Sequence, residues 1–320
     1  MAKVIKSLKK SFPNGQKSAF DFDRAVAEAY EMFPEIKEEI FFVDVNAGKV
    51  VHTDPEIRSR LISAINGNIT VRKKLNTEVF HHKREKKSGC MHLKIGKEKL
   101  SFLLLYLEKD LESALGEKHS LAENQHLVFD HELAHALIPQ AQGGNVRCES
   151  IADSYAAVRH FQRYGTRTDT IETLMQRRAA LSFFNQDAEH FTSQALETVL
   201  SFKKEFDFKA LTPAQTARMA EYIGLKSHIG KKELKSLSYH FNKLKNVAND
   251  IKNDQPLRKF ANQVFSARTP AMAKWGPVAL QAFLDKKIFL STNKRRLSLH
   301  GPYWKKVRQD LNKRRKAPHG

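Results

Sequence analysis

Cysteine is nearly absent from this chain. Its 320 residues include two, Cys90 and Cys148, far apart and in no CxxC pair. That argues against a disulfide framework and makes a reducing compartment the default. Long apolar runs are also missing, and no stretch approaches the roughly 20 residues that a membrane-spanning helix needs. The first ten residues, Met1 to Lys10, are basic and lack the apolar core of a Sec-type signal peptide. The expectation is a cytoplasmic protein without a transmembrane segment. Export by a dedicated secretion machine, which needs no apolar signal, is compatible with the same sequence.

Acidic residues are the third scarcity. Asp and Glu total 35 against 55 Lys and Arg, a net charge of +20. Such a balance attracts nucleic acid, anionic membrane surface or acidic protein, though it also serves as a diffuse solubilising surface. The excess is concentrated at residues 286–320, from Lys286 and Lys287 through Lys294, Arg295 and Arg296 to Lys313, Arg314, Arg315 and Lys316. Only Asp285 and Asp310 flank or interrupt it, and Tyr303 and Trp304 lie inside, where aromatic rings suit stacking on bases. The reading is a basic C-terminal tail that binds nucleic acid or another polyanion. The opposite reading rests on Ile288, Phe289, Leu290, Leu297, Leu299 and Trp304, which could pack on the preceding helices. A shorter basic run, Lys83-Arg84-Glu85-Lys86-Lys87, follows His81-His82 and reads as a loop.

What the chain does contain is the segment Asp130-His131-Glu132-Leu133-Ala134-His135, an HExxH motif. On a helix, residues i and i+4 point the same way, so both imidazoles can close on one Zn²⁺ with Glu132 beside them as a general base. The same pattern on a solvated helix is an ordinary polar face, so the surroundings decide. Ser120-Leu121-Ala122-Glu123 reads as a capping box, Leu127, Val128, Ala134, Leu137 and Ile138 give an apolar face, and Pro139 ends the helix. After a loop containing Gly143 and Gly144, the alanine-rich stretch Cys148 to Val158 reads as a second helix, with Glu149 and Asp153 four apart on one face. Two histidines and one carboxylate leave the fourth zinc position open for water, which makes Glu149 the natural third ligand. Asp153 can accept a hydrogen bond from a ligating histidine and fix its tautomer. Cys148 diverges from Glu149 by about 100° on a helix and reads as a packed thiol.

HExxH followed by ExxxD on a second helix resembles the gluzincin metallopeptidases, the broad thermolysin-like group. The matching residues are His131, Glu132, His135, Glu149 and Asp153, and Ala152-Asp153-Ser154-Tyr155-Ala156-Ala157 looks like the third-ligand helix of several bacterial members. The likeness spans about residues 120–165, with a shorter interval between His135 and Glu149 than in the best-known members. It implies one Zn²⁺ per chain, a peptide or protein substrate, and a strand at the sheet edge beside the metal that receives the substrate. The stretch around 100–107, or its hairpin partner, is the candidate for that strand. Gluzincins often place a His or Tyr beyond the third ligand to steady the transition state. His190 is the first candidate here and Tyr164 the second, whereas His160 lies about 16 Å along the helix from Glu149.

The remaining pattern gives an α+β fold. Residues 17–33 read as a helix, Ile40 to Val45 and Lys49 to His52 as a hairpin, and Thr53-Asp54-Pro55 as the start of a helix through Ile65. Met91, Leu93 and Ile95 open a second hairpin turning at Gly96, and Ser101 to Leu107 is a doubly buried strand. Helices are expected at 171–184, 193–206, 231–252, 256–265 and 277–285, with another begun by Thr212-Pro213 and stopped by Gly224. The whole reads as a zincin-like small sheet with an HExxH helix (1–165), a mainly helical half (166–285) and the basic tail (286–320). The expected activity is zinc-dependent peptide hydrolysis. Two rivals are a basic nucleic-acid-binding protein with a vestigial or structural zinc site, and a zincin-like protein-interaction scaffold.

Overall fold

The computed structural model describes residues 20–106, 121–165, 168–185, 188–238, 254–285, 299 and 301–316. Helix α1 (Phe22–Met32) starts where the Asp21 carboxylate accepts the Arg24 amide at 3.0 Å, and buries Ala25, Val26, Ala29 and Tyr30. Strands β1 (Ile40–Asp44) and β2 (Lys49–Val51) form the first hairpin, turning at Gly48, whose φ of 61° suits glycine. Asp54 caps α2 (Pro55–Gly67) and Asn68 caps α3 (Ile69–Glu85). The second hairpin is β3 (Gly89–Ile95) and β4 (Glu98–Leu105), turning at Gly96 with φ 62°.

The four strands run β2-β1-β4-β3, with β1 and β4 parallel and the outer pairs antiparallel. Successive side chains alternate faces, and here both faces are covered. Ile40, Phe42, Leu103 and Leu105 pack against α1 and the motif helix α4 (Leu121–Leu137), through Phe129, Leu133 and Ala134. Phe41, Val43, Phe102 and Leu104 pack on Leu61 and Ile65 of α2 and Val71 and Leu75 of α3. This explains why β1 and the end of β4 read as continuous apolar runs.

After α4 come a 3-10 turn (Pro139–Ala141) and α5 (Val146–Tyr164), in which every residue from Cys148 to Phe161 is buried. The rest is helical: α6 (Asp169–Asn185), α7 (Ser193–Phe202), α8 (Pro213–Ser227), a helical stretch at 231–238, α9 (Gln255–Phe265), α10 (Pro270–Leu284) and α11 (Pro302–Lys316). The Thr212–Gln215 capping box forms as its sequence implied.

Several expectations need correction. Lys83 to Glu85 are not a loop but the last turn of α3, and Lys86 closes it in the left-handed region at φ 52°. Gly224 does not stop α8, which runs on to Ser227; a Cβ there would meet Ile151 Cγ1 at 2.4 Å, so the glycine permits a close crossing of α8 on α5. Pro277 lies inside α10, which begins at Pro270, not near 277. Helix α7 ends at Phe202, short of 206. Strand β4 is interior, paired on both sides, so the terminal strand beside the motif helix is β3.

The division at 165/166 cuts through a shared core. Leu127, Ala156 and Phe161 pack with Ile171, Leu196, Phe208 and Ile223. The basic tail is likewise no separate appendage where described. Trp304, Val307 and Leu311 of α11 are buried with Phe183, Phe260, Trp275 and Leu280. The Trp304 indole donates to the Asp254 carboxylate at 2.7 Å and is 1% exposed, which removes it as a stacking surface for bases. Residues 1–19, Ser120 of the expected capping box, Leu107, residues 239–253 of the expected 231–252 helix, and 286–298 of the tail lie outside the described residues.

Candidate metal centre

The centre lies where α4, α5 and the turn before α7 meet. Pro139 cannot continue α4, and the 3-10 turn it begins carries the Ala141 carbonyl back to His135. His135 Nδ1 donates to that carbonyl at 2.6 Å. Asn145 then caps α5 by accepting the Arg147 and Cys148 amides, which sets Glu149 in the first turn, where the partial positive charge of the helix end favours a carboxylate. One turn on, the Asp153 carboxylate accepts His131 Nδ1 at 2.8 Å.

Both Nδ1 atoms are thus committed as donors, and in the neutral tautomer both Nε2 atoms carry lone pairs. Those lone pairs face each other at 3.2 Å. Glu149 completes the triangle, with Oε2 3.3 Å from His131 Nε2 and Oε1 3.5 Å from His135 Nε2. A tetrahedral ion with ligands at about 2.0–2.1 Å has ligand–ligand edges of about 3.3–3.4 Å. The spacing and the donor set therefore fit Zn²⁺, and His131, His135 and Glu149 are the residues that could hold it. Glu149 Oε2 is buried and accepts no well-aligned hydrogen bond, as expected of an oxygen aimed at an ion.

The electrostatics favour positive charge here, as a proton on His131 or as a metal ion in its place. Burial alone would lower the proton affinity of His131, but the Asp153 and Glu149 carboxylates outweigh it and lift the ring to about 10. Burial likewise opposes the charges on Glu149 and Asp153. His131 and His135 at Glu149, and Arg178 with His131 at Asp153, nevertheless hold both carboxyls well below the usual carboxylate range. Glu132 differs: burial pushes its carboxyl above the ordinary value, and the flanking imidazoles do not reverse that. A buried, hard-to-ionise carboxyl beside the donor triangle is suited to accepting and returning a proton.

His190 arrives from the turn before α7. Its Nε2 lies 3.3 Å from Glu149 Oε2 and its side chain is 36% exposed, so it stands at the mouth of the centre. Tyr164 is not brought there; its hydroxyl meets His126 Nδ1 at 2.8 Å at the far end of α5, where His160 packs on its ring. Cys148 is a packed thiol, donating to the Gln142 carbonyl. Two residues escaped the sequence reading. Arg178 of α6 grips Asp153 with Nε and Nη2, each at 2.8 Å, and the Thr192 hydroxyl also donates to that carboxylate. Thr192 holds the N-cap position of α7 without capping it, its hydroxyl being spent on Asp153. Behind the motif, Arg163 pairs with Asp130 and with Glu28 of α1, and Arg159 pairs with Glu28, anchoring the start of HExxH to the first helix.

No family model, curated protein or solved structure matches this chain. No helix among the described residues is long and apolar enough to cross a membrane.

Proposed function

We propose that this protein is a zinc-dependent peptidase whose metal is held by His131, His135 and Glu149. The observation that carries the reading is the triangle of converging donors, 3.2–3.5 Å on a side, with the buried Glu132 beside it. Zinc held there would supply a water of lowered pKa and a polarised carbonyl. Glu132 would accept the proton of the attacking water and return it to the leaving amine. The raised proton affinity of the Glu132 carboxyl supports this role, since a weakly basic carboxylate would take the proton from water poorly. His190, half-exposed at the mouth, donates to the developing negative oxygen. Asp153 keeps His131 in the Nδ1–H tautomer, and the Ala141 carbonyl does the same for His135.

Substrate entry along β3 is consistent with this assignment. It is the terminal strand on the side of the motif helix, and Cys90 on it shares a core with Leu133 and Phe129. An extended peptide laid along such an edge gains main-chain hydrogen bonds without regard to its sequence.

The test is a pair of measurements on the full chain and on Glu132→Gln. The variant should bind zinc in the same amount as the parent while peptide-library cleavage falls about 10²- to 10⁴-fold. Equal cleavage by both proteins would overturn the mechanism. Loss of zinc from the variant would show that Glu132 is a ligand and not the base.

A further inference from the structure

A second cluster of metal-binding side chains lies on α3, in an element separate from the HExxH helix. Glu78, His81 and His82 stand at i, i+3 and i+4, so all three share one side of the helix. Each is half-buried, and one donor atom from each lies within 4.8 Å of the other two. Proximity alone would mean little on an exposed helix. What sets this cluster apart is the way His82 is fixed.

The His82 ring is pinned from two sides. Its Nδ1 donates to the Lys87 carbonyl at 3.0 Å, and the Lys87 amide donates back to the His82 carbonyl at 3.1 Å. That contact commits Nδ1 and leaves Nε2 with a lone pair, the same carbonyl-to-imidazole arrangement that orients metal ligands elsewhere. The ring also lies directly on the backbone of Gly89, the first residue of β3. A Cβ there would come within 2.4 Å of His82 Cε1 and 3.2 Å of Nε2. Gly89 does not have a positive φ, so its lack of a side chain answers to the ring, not to the backbone.

Lys83 reaches away to the Asn46 carbonyl at 3.0 Å, and the Arg84 guanidinium pairs with Glu85 at 2.9 Å. His81 and His82 lie in the last turns of α3, where the partial negative charge of the helix end favours a positive ion.

We propose that Glu78, His81 and His82 form a second metal site, for a borderline divalent cation such as Zn²⁺, at the junction where α3 passes the chain to the terminal strand β3. Two imidazoles and a carboxylate select Zn²⁺, Co²⁺, Ni²⁺ or Cu²⁺ over Mg²⁺ and Ca²⁺, which prefer oxygen donors. With three protein donors and water completing the shell, this site is weaker than a closed four-ligand site. By fixing the His82 ring, which lies on Gly89, the ion would steady the packing of α3 on the start of β3.

The experiment counts zinc bound by the full chain, stripped with chelator and then equilibrated against buffered free Zn²⁺, with metal measured by mass spectrometry. The parent should take up two ions in separate steps. His82→Ala and Glu78→Gln should each lose the weaker step and keep the tighter one. His135→Ala should do the reverse, so failure of either site is read independently of the other. Gly89→Ala is the sharper probe, because all three donors remain. By displacing the His82 ring it should weaken the second step about 10-fold or more. Thermal melts confirm that each variant is folded, and Glu78→Gln, nearly isosteric, serves if His82→Ala is not. Uptake in His82→Ala, Glu78→Gln and Gly89→Ala identical to the parent would overturn the proposal.

Discussion

At the residue scale, the centre depends on a side chain outside both motifs. Asp153 is 1% exposed and accepts from His131, Thr192 and both prongs of Arg178. A buried carboxylate that loses its cation is harder to keep ionised, and a protonated Asp153 orients His131 less firmly. Arg178→Met should therefore weaken zinc binding about 10- to 100-fold, read by competition with a coloured chelator. An unchanged affinity would mean that His131 and Thr192 satisfy Asp153 alone. The candidate ligands and Asp153 could be picked out because helical spacing ties residues four apart, His131 to His135 and Glu149 to Asp153. Arg178 and Thr192 were not, since they reach Asp153 from 25 and 39 positions away and no local period links them. His190 was reached only by the likeness to gluzincins, and nothing in its own neighbourhood marked it.

At the element scale, punctuation residues misled where packing overrode their usual meaning. Glycine ordinarily ends a helix, and Gly224 was read that way. Here it lies within α8, its backbone pressed on α5. An added Cβ would lie 2.4 Å from Ile151 Cγ1 and 2.6 Å from its Cα, and backbone cannot step aside as a flexible side chain can. Gly224→Ala should cost about 1–3 kcal/mol or more of stability, measured by denaturant unfolding. It should also weaken zinc binding, because Glu149 lies half a turn from the crowded residue. A variant as stable as the parent would show that the crossing is loose. Helix α3 was missed for another reason. Its buried stripe is only Val71 and Leu75, the rest being charged or polar, so the basic run at its end looked like loop. By contrast, the two hairpins, the capped starts at Asp54 and Thr212 and the stop before Pro139 were all readable, because each rests on a local rule that nothing distant opposes.

At the scale of the whole molecule, helix α11 of the basic C-terminal stretch is part of the core. Trp304, Val307 and Leu311 are 1%, 4% and 5% exposed, and the indole is held by Asp254. A chain ending at Asp285 should melt well below the full chain or come out insoluble, since removing a buried Trp alone typically costs about 3–5 kcal/mol. An unchanged melting midpoint would restore the separable tail. The composition displayed the charge but not this role, because the buried residues of α11 are diluted among lysines and arginines. The complete burial of α5 has a further consequence for motion. Ile151, Ala152 and Tyr155 belong to the core beneath the sheet, while Ala156, Ala157, Val158 and Phe161 belong to the core of the helical half. A rod cemented into two walls cannot act as their hinge, because rotating one wall against the other would tear open a packed interior. Access to the centre then falls to movements as small as a rotation of His190 at the rim, on the picosecond-to-nanosecond scale, and no slow clamshell closure should limit turnover.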